Sequence, residues 1–115
     1  MPSAAPAIGS LRKLVSLWED RGEVRAEHQQ PQPRWVQVAE FKASIEPISG
    51  REFFQAQQVA STVTHRIRCR YRPGVNNRQQ IRWQGRTFHL TAVLNIEERD
   101  EWLEIMAVEH LDGNA

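Results

Sequence analysis

Hydrophobic and polar residues alternate most regularly between residues 63 and 72 of the chain. One face carries Val63, Ile67 and Cys69 with their neighbours of odd number, and the other carries four arginines, namely Arg66, Arg68, Arg70 and Arg72. A period of two is that of a β-strand, in which alternate side chains share one face. The pattern therefore predicts a strand from about residue 60 to 72, with guanidinium groups in a row roughly 6.6 Å apart.

Five other segments carry a similar pattern and predict further strands. Residues that favour turns separate them, such as Pro47, the run from Pro73 to Asn77, and Gly85, while an acidic connection spans Glu97 to Glu101. The predicted strands are Leu11 to Trp18, Trp35 to Ile45, Gln79 to Gln84, Arg86 to Ile96 and Trp102 to His110. About six short strands with regular turns favour a mainly β fold, a small antiparallel barrel or sandwich.

One short helix is expected between the second and third strands. Ser49 and Glu52 have the spacing of a capping box, in which the first side chain caps the helix and the second reaches back to it. Ile48 before the cap and Phe53 after it have the spacing of a hydrophobic staple. These two signals coincide, and they predict a helix from about Gly50 to Gln58.

The chain is expected to form one domain with two short extensions. Residues 1–10 are rich in proline and alanine and predict a flexible N-terminal arm, residues 11–111 form the domain, and residues 112–115 form a C-terminal tail. The arm lacks the charged and apolar regions of a signal peptide, and no segment is long and apolar enough to span a membrane. The polar connection 19–34 is long for a compact domain, which is typical of functional loops.

Composition limits the partners that the chain can be expected to have. The 115 residues carry a formal net charge of +1, so the arginine row is a local feature. A free-standing protein that binds nucleic acid non-specifically usually has a clear excess of cations, because each phosphate contact needs one. Cys69 is the single cysteine and is expected to be a buried thiol on the apolar face of its strand.

No constellation of residues predicts catalysis, and no metal or cofactor is expected. The histidines at positions 28, 65, 89 and 110 are scattered, and one cysteine does not make a zinc motif. Ser49 lacks the flanking glycines of a nucleophile elbow, and the isolated glycines do not form a phosphate-binding loop. The chain is therefore expected not to be an enzyme.

The arginine row has two interpretations. In the first, the arginines pair with carboxylates across neighbouring strands or on an adjacent subunit, at about 0.2–1 kcal/mol for each pair within the sheet. In the second, they contact the DNA backbone. Candidate carboxylates are Glu97, Glu98, Glu101 and Glu104. Similarly, the four tryptophans are expected to be core or interface anchors rather than platforms for stacked bases.

Several runs of residues together resemble the phage head-tail joining family, whose members are also called head-tail adaptors or stoppers. The most specific run is Glu46-Pro47-Ile48-Ser49-Gly50-Arg51-Glu52, which is followed by Gln55-Ala56-Gln57-Gln58 and by Thr64-His65-Arg66-Ile67-Arg68. Arg82 to Phe88 is similar to the family's short hairpin, and Trp102 to Ile105 to its last strand. The resemblance covers roughly residues 11 to 110.

The resemblance implies a non-enzymatic virion protein of the phage neck, made in the bacterial host cytoplasm. It implies a small β-barrel that forms a ring between the head and the tail and helps to retain packaged DNA. The implied partners are other copies of the chain, a portal or adaptor protein, a tail completion protein and packaged DNA, with no membrane. Candidate interface or DNA-channel residues are the four arginines of the row together with Arg51 and Glu52.

The alternative function is that of a small nucleic-acid-binding β-barrel. There the arginine row and aromatic residues such as Tyr71, Trp83 or Phe88 would contact single strands. The balanced net charge and the predicted burial of the aromatic residues weigh against this module. Binding of DNA across a salt series separates the two functions, because phosphate contacts give a steep salt dependence.

Overall fold

The computed structural model describes residues 11–22, 33–48 and 63–110. Six antiparallel strands in this part of the chain close into a barrel, in the order β1-β2-β3-β6-β5-β4. The strands are β1 (Lys13–Asp20), β2 (Trp35–Pro47), β3 (His65–Arg70), β4 (Gln79–Trp83), β5 (Arg86–Asn95) and β6 (Trp102–His110). The predicted mainly β barrel is confirmed. The predicted helix with its caps, Ser49 and Glu52, lies outside the described residues, as do the arm and the tail.

Strand pairing defines two walls and two ends of the barrel. Two strands separate β3 from β4 in either direction around the barrel, so these two strands lie in opposite walls. Gln84 and Gly85 form the tight turn between β4 and β5 at one end, which we call the turn end. Strand β5 runs from there to the residues 96–101 that join it to β6, and this opposite end we call the acidic end.

The turn end is made by a two-residue hairpin. Both of its residues have positive φ, +49° at Gln84 and +79° at Gly85. Positive φ at both central positions belongs to the type I′ turn, whose twist matches that of paired strands. Glycine tolerates this conformation well because it has no Cβ. The Trp-Gln-Gly-Arg sequence therefore fixes the register in which Trp83 pairs with Arg86.

The hydrophobic core fills the interior of the barrel and follows the alternation in the sequence. Phe88, Ile67, Ile81 and Ile105 are completely buried, at 0% exposure. Cys69 is also buried, as predicted, and burial raises the pKa of its thiol to about 11. A thiol with so high a pKa is almost entirely protonated at neutral pH, so Cys69 is a packing residue and not a nucleophile.

Strand ends differ from the predicted ones by a few residues, for reasons visible in the pairing. β3 ends at Arg70 rather than at Arg72, although the N–H of Tyr71 still donates to the carbonyl oxygen of Glu101 (2.9 Å), and a turn follows at Pro73 and Gly74. Tyr71, just beyond the end of the strand, is exposed, although the alternation placed it on the apolar face. β1 reaches Asp20 because its last residues pair with the start of β2.

Candidate interaction surfaces

The first half of the arginine row is neutralised within the chain. Arg66 lies opposite Glu46 on β2, with Nη2 3.3 Å from Oε2. Arg68 lies opposite Glu104 on β6, with Nη2 and Nε 2.9 and 3.0 Å from Oε1. Each partly exposed pair contributes about 0.2–1 kcal/mol. Glu104 was among the predicted carboxylates, whereas Glu46 was not, because its register with Arg66 is not visible in the sequence.

The second half of the row lies on aromatic rings. The Cζ of Arg70 is 5.0 Å from the ring centroid of Trp102, and the Cζ of Arg72 is 4.5 Å from that of Phe41. Such a stack leaves the N–H groups at the edge of the guanidinium available for another acceptor. Within residues 11–22, 33–48 and 63–110, neither arginine makes an ion pair with a carboxylate.

These two arginines border a cleft of about 320 Å³ on the β2–β3 wall, which we call the basic cleft. Exposed Lys42, which follows Phe41 on β2, adds a third cation to it. The remaining lining residues are apolar or aromatic: Leu11, Phe41 and Tyr71. Three cations without a described carboxylate partner suit an acidic protein segment or a phosphate backbone. Sequence reasoning missed Lys42, because its proximity to Arg70 follows from strand pairing.

A second cleft of about 390 Å³ lies on the β1–β4 side beside the turn end, and we call it the tryptophan cleft. Trp18 and Trp83 contribute aromatic rings, and Arg82 and Arg86 contribute cations. The Cζ of Arg82 is 4.0 Å from the ring centroid of Trp18, and its Nε donates to Gln80 Oε1 at 2.5 Å. No described carboxylate pairs with Arg82, and burial lowers the pKa of its guanidinium.

Arg86 differs from Arg82 because it has a carboxylate partner. Its Nε and Nη2 lie 2.7 and 3.0 Å from the two oxygens of Glu109, which is a bidentate arrangement. The hydrogen bond raises the pKa of Arg86 and lowers that of Glu109. A bidentate pair fixes both side chains in position. Arg82 is therefore the cation of the tryptophan cleft that lacks a counter-charge in the described part of the chain.

Two tryptophans line the tryptophan cleft, and all four tryptophans of the chain are half-buried. Trp18, Trp35, Trp83 and Trp102 all have intermediate exposure, and Trp83 also packs against the core. The expectation that they are core or interface anchors fits this placement, because each ring has one covered and one accessible part. Trp18 also donates its indole N–H to Ser16 Oγ at 2.8 Å.

Two histidines are brought close together by the fold, although they are distant in sequence. The ring centroids of His89 and His110 are 4.0 Å apart, and Trp35 packs edge-on against His89 at 5.9 Å. Nε2 of His89 lies 3.2 Å from Nε2 of Gln80. Among the residues described, no three histidine, cysteine, aspartate or glutamate side chains are grouped as metal ligands would be.

Stability is expected to fall when the pH is lowered from about 7.5 to about 5. Burial lowers the pKa of His65 and His89, and the nearby His110 and Arg82 lower that of His89 further. Both rings bind a proton more weakly in the folded state than in the unfolded chain, where the pKa is about 6.5. As pH falls through about 6.5, the unfolded chain therefore binds protons before the folded protein does. The free energy of unfolding that the two neutral rings contribute is then lost.

Urea unfolding at the two pH values measures this loss. His89→Gln removes one of the two groups and should reduce the difference in unfolding free energy between them. The lowered pKa values of Asp20 and Glu109 affect the free energy of unfolding mainly at more acidic pH, so they contribute little to the difference between about pH 7.5 and about pH 5. Equal stability of the unmodified chain at both values would contradict the assignment.

Comparison with known proteins identifies the family. A family model described as phage head completion protein matches residues 6–110. The chain belongs to this family. The resemblance to phage head-tail proteins noted in the sequence is thereby confirmed, and this head completion protein is a component of the virion, as expected.

Two solved structures share the fold of this head completion protein. Protein SF1141 from Shigella flexneri 2a matches with a TM-score of 0.70 and 22% identity, over 93% of this chain and 99% of that one. A chain from the virion of a native gene transfer agent particle matches with a TM-score of 0.62 and 21% identity, over 84% and 92%. No curated protein sequence matches the chain. None of the helices in the described ranges is long and apolar enough to cross a membrane.

Proposed function

We propose that this head completion protein forms a ring in the phage neck, joins the head to the tail and helps to retain packaged DNA. The observation that carries the proposal is the basic cleft, in which Lys42, Arg70 and Arg72 lack carboxylate partners in the described part of the chain. A virion protein whose net charge is close to zero presents these cations on one wall. We infer that their counter-charges come from another component of the particle.

In this proposal, one half of the arginine row stabilises the barrel and the other half contacts a partner. Arg66 and Arg68 hold β3 to its two neighbouring strands through Glu46 and Glu104. Arg70 and Arg72 continue the same row beyond these pairs and lie over the rings of Trp102 and Phe41. DNA phosphates in a central channel and the acidic surface of a neighbouring protein both provide suitable acceptors. Candidate contact residues Arg51 and Glu52 lie outside the described residues.

The proposed partners are other copies of the chain, a portal or adaptor protein on the head side and a tail completion protein on the tail side. A near-neutral chain with cations gathered on one wall suits repeated contacts around a closed array. The role is structural, and the protein is proposed not to be an enzyme.

Removing the gene from its phage or prophage tests the function. We expect heads that package DNA but lose it, and free tails, with infectivity restored when the unmodified gene is supplied in trans. Electron microscopy of the particles and the amount of nuclease-protected DNA distinguish a neck defect from a defect in head assembly. Particles that carry tails and full genomes in the absence of the gene would refute the proposed function.

A further inference from the structure

We propose that the tryptophan cleft binds the acidic β5–β6 loop of a second copy of this chain. This inference rests on the proposed ring and names the contact that closes it. It uses surfaces other than the arginine row, which lies on the opposite wall. Charge, position in the barrel and the conformation of the loop all favour this occupant.

The cleft offers a cation that has no counter-charge in the described residues. The Cζ of Arg82 lies 4.0 Å from the ring centroid of Trp18, and its Nε donates to Gln80, so its position is set before any partner arrives. Nearby, Lys13 Nζ lies 5.2 Å from the ring centroid of Trp83 and adds a second cation at the edge of the cleft. A partly buried guanidinium gains most from a carboxylate that approaches from outside and completes its pairing.

The β5–β6 loop provides carboxylates in a fixed and exposed form. Four of its five residues from Glu97 to Glu101 are acidic, and all five are exposed. Glu97, Glu98 and Asp100 have φ of +56°, +55° and +56°, a left-handed conformation that L-residues other than glycine seldom adopt. Asn95 holds the loop in this shape, because its Nδ2 donates to Asp100 Oδ1 (2.6 Å) and its Oδ1 accepts from the Asp100 N–H (3.1 Å).

Most of the loop's charge is not neutralised within the described chain. Glu97 pairs weakly with Arg99 at 3.6 Å, and no ion pair joins the loop to the basic cleft. The loop thus presents carboxylates outward at a cost in backbone strain, which is typical of segments that make a contact. The tryptophan cleft, in which Arg82 has no carboxylate partner among the described residues, complements this charge and lies beside the opposite end of the barrel.

The placement of the two surfaces makes the contact head-to-tail. The loop is at the acidic end of β5 and the cleft is beside the turn end, so one copy binds the next through different surfaces. A contact of this kind is heterologous, and it closes into a ring when the rotation between copies allows. A nucleic acid in the tryptophan cleft would leave the acidic loop without a role. Binding of a second copy gives a role to both the cleft and the loop.

Cysteine crosslinking between differently labelled copies tests the contact directly. One copy carries Thr87→Cys, which lines the cleft, and the other carries Arg99→Cys, which keeps all four carboxylates of the loop. Cys69 is buried and does not interfere. At high protein concentration and low salt, we expect disulfide-linked dimers to form about tenfold faster than with a control pair of Asn77→Cys, at an exposed and uncharged turn residue, and Arg99→Cys, since about 1.4 kcal/mol of attraction gives that ratio.

Charge reversal then shows whether the carboxylates and Arg82 cause the effect. Arg82→Glu in the first copy, or Glu98→Arg in the second, should each reduce crosslinking to the control rate, and the two together should restore it. Glu98 is exposed in a loop, so its variant keeps the barrel folded even if Arg82→Glu weakens it. The proposal would be overturned if the Thr87→Cys and Arg99→Cys pair, with Arg82 and Glu98 unchanged, crosslinked only at the control rate. It would also be overturned if the two charge reversals together did not restore fast crosslinking.

The same variants separate this inference from the proposed function. If particles assemble normally with the Arg82→Glu chain, the ring closes through another surface and the neck function still stands. If the unmodified chain is absent from the neck of the particles, the proposed function itself fails. The first outcome overturns the contact alone, whereas the second overturns the ring on which the contact rests.

Discussion

Replacing Phe88 by alanine is expected to lower the free energy of unfolding by about 3–5 kcal/mol. Phe88 is completely buried in the barrel, and its ring also contacts His65 edge-on at 5.1 Å. The substitution removes buried apolar surface and leaves a cavity in the core. Each strand of the closed barrel is paired with a neighbour on both sides, so the wall cannot easily collapse to fill it. A small domain typically has about 5–15 kcal/mol of stability in total, so this change consumes much of it. Urea unfolding followed by tryptophan fluorescence measures the loss.

A matched control separates burial from hydrophobicity. Leu94 lies on the same strand as Phe88 but is 51% exposed, so Leu94→Ala is expected to change stability by less than about 0.5 kcal/mol. If the barrel is closed as described, the losses in unfolding free energy caused by the two substitutions therefore differ severalfold. A loss below about 1 kcal/mol for Phe88→Ala would mean that the ring is not packed as described.

Replacing Arg70 and Arg72 together by alanine is expected to reduce the yield of infectious particles roughly tenfold or more. A hydrogen bond to a charged group contributes about 1.5–3 kcal/mol, and about 1.4 kcal/mol corresponds to a tenfold change in binding. The barrel is expected to remain folded, because each arginine loses a cation–π contact of about 0.5–1 kcal/mol at an exposed site. Complementation of the gene deletion measures the particle yield, and circular dichroism checks the fold.

Arg66→Ala with Arg68→Ala is the matched control in the same row. We expect these substitutions to leave the monomer folded and to impair assembly less, because Glu46 and Glu104 already neutralise the two charges. DNA retention per particle shows whether a defect lies in joining or in sealing. Normal yield and full DNA retention in the Arg70 and Arg72 variant would show that the basic cleft is ordinary surface.

The sequence predicted the strands well because each strand has one buried face. Trp102 to His110 is correct at both ends, and the others are displaced by a few residues at most at their described ends. The alternation of Ile67 and Cys69 with the arginines indicates which side chains enter the core. This pattern is visible within one short segment of the sequence, so it does not depend on distant strands. The buried thiol of Cys69 could be predicted for the same reason.

The surfaces could be predicted only in part, because they depend on register between distant strands. Arg68 meets Glu104 across 36 positions of sequence, and Lys42 joins Arg70 only once β2 pairs with β3. No local pattern placed Arg82 on the ring of Trp18 or gave the β5–β6 loop its left-handed residues. The expected helix between β2 and β3 lies outside the described residues and stays a prediction.

Cryo-electron microscopy of particles from the source phage or prophage shows whether this chain forms a ring between the head and the tail. We expect a ring of β-barrels between portal and tail into which this chain fits, with the β3 wall and its basic cleft facing DNA or an adjoining protein. We also expect the acidic loop of each copy to meet the tryptophan cleft of the next. Density at that junction without this chain, or particles that lack it altogether, would contradict the claim.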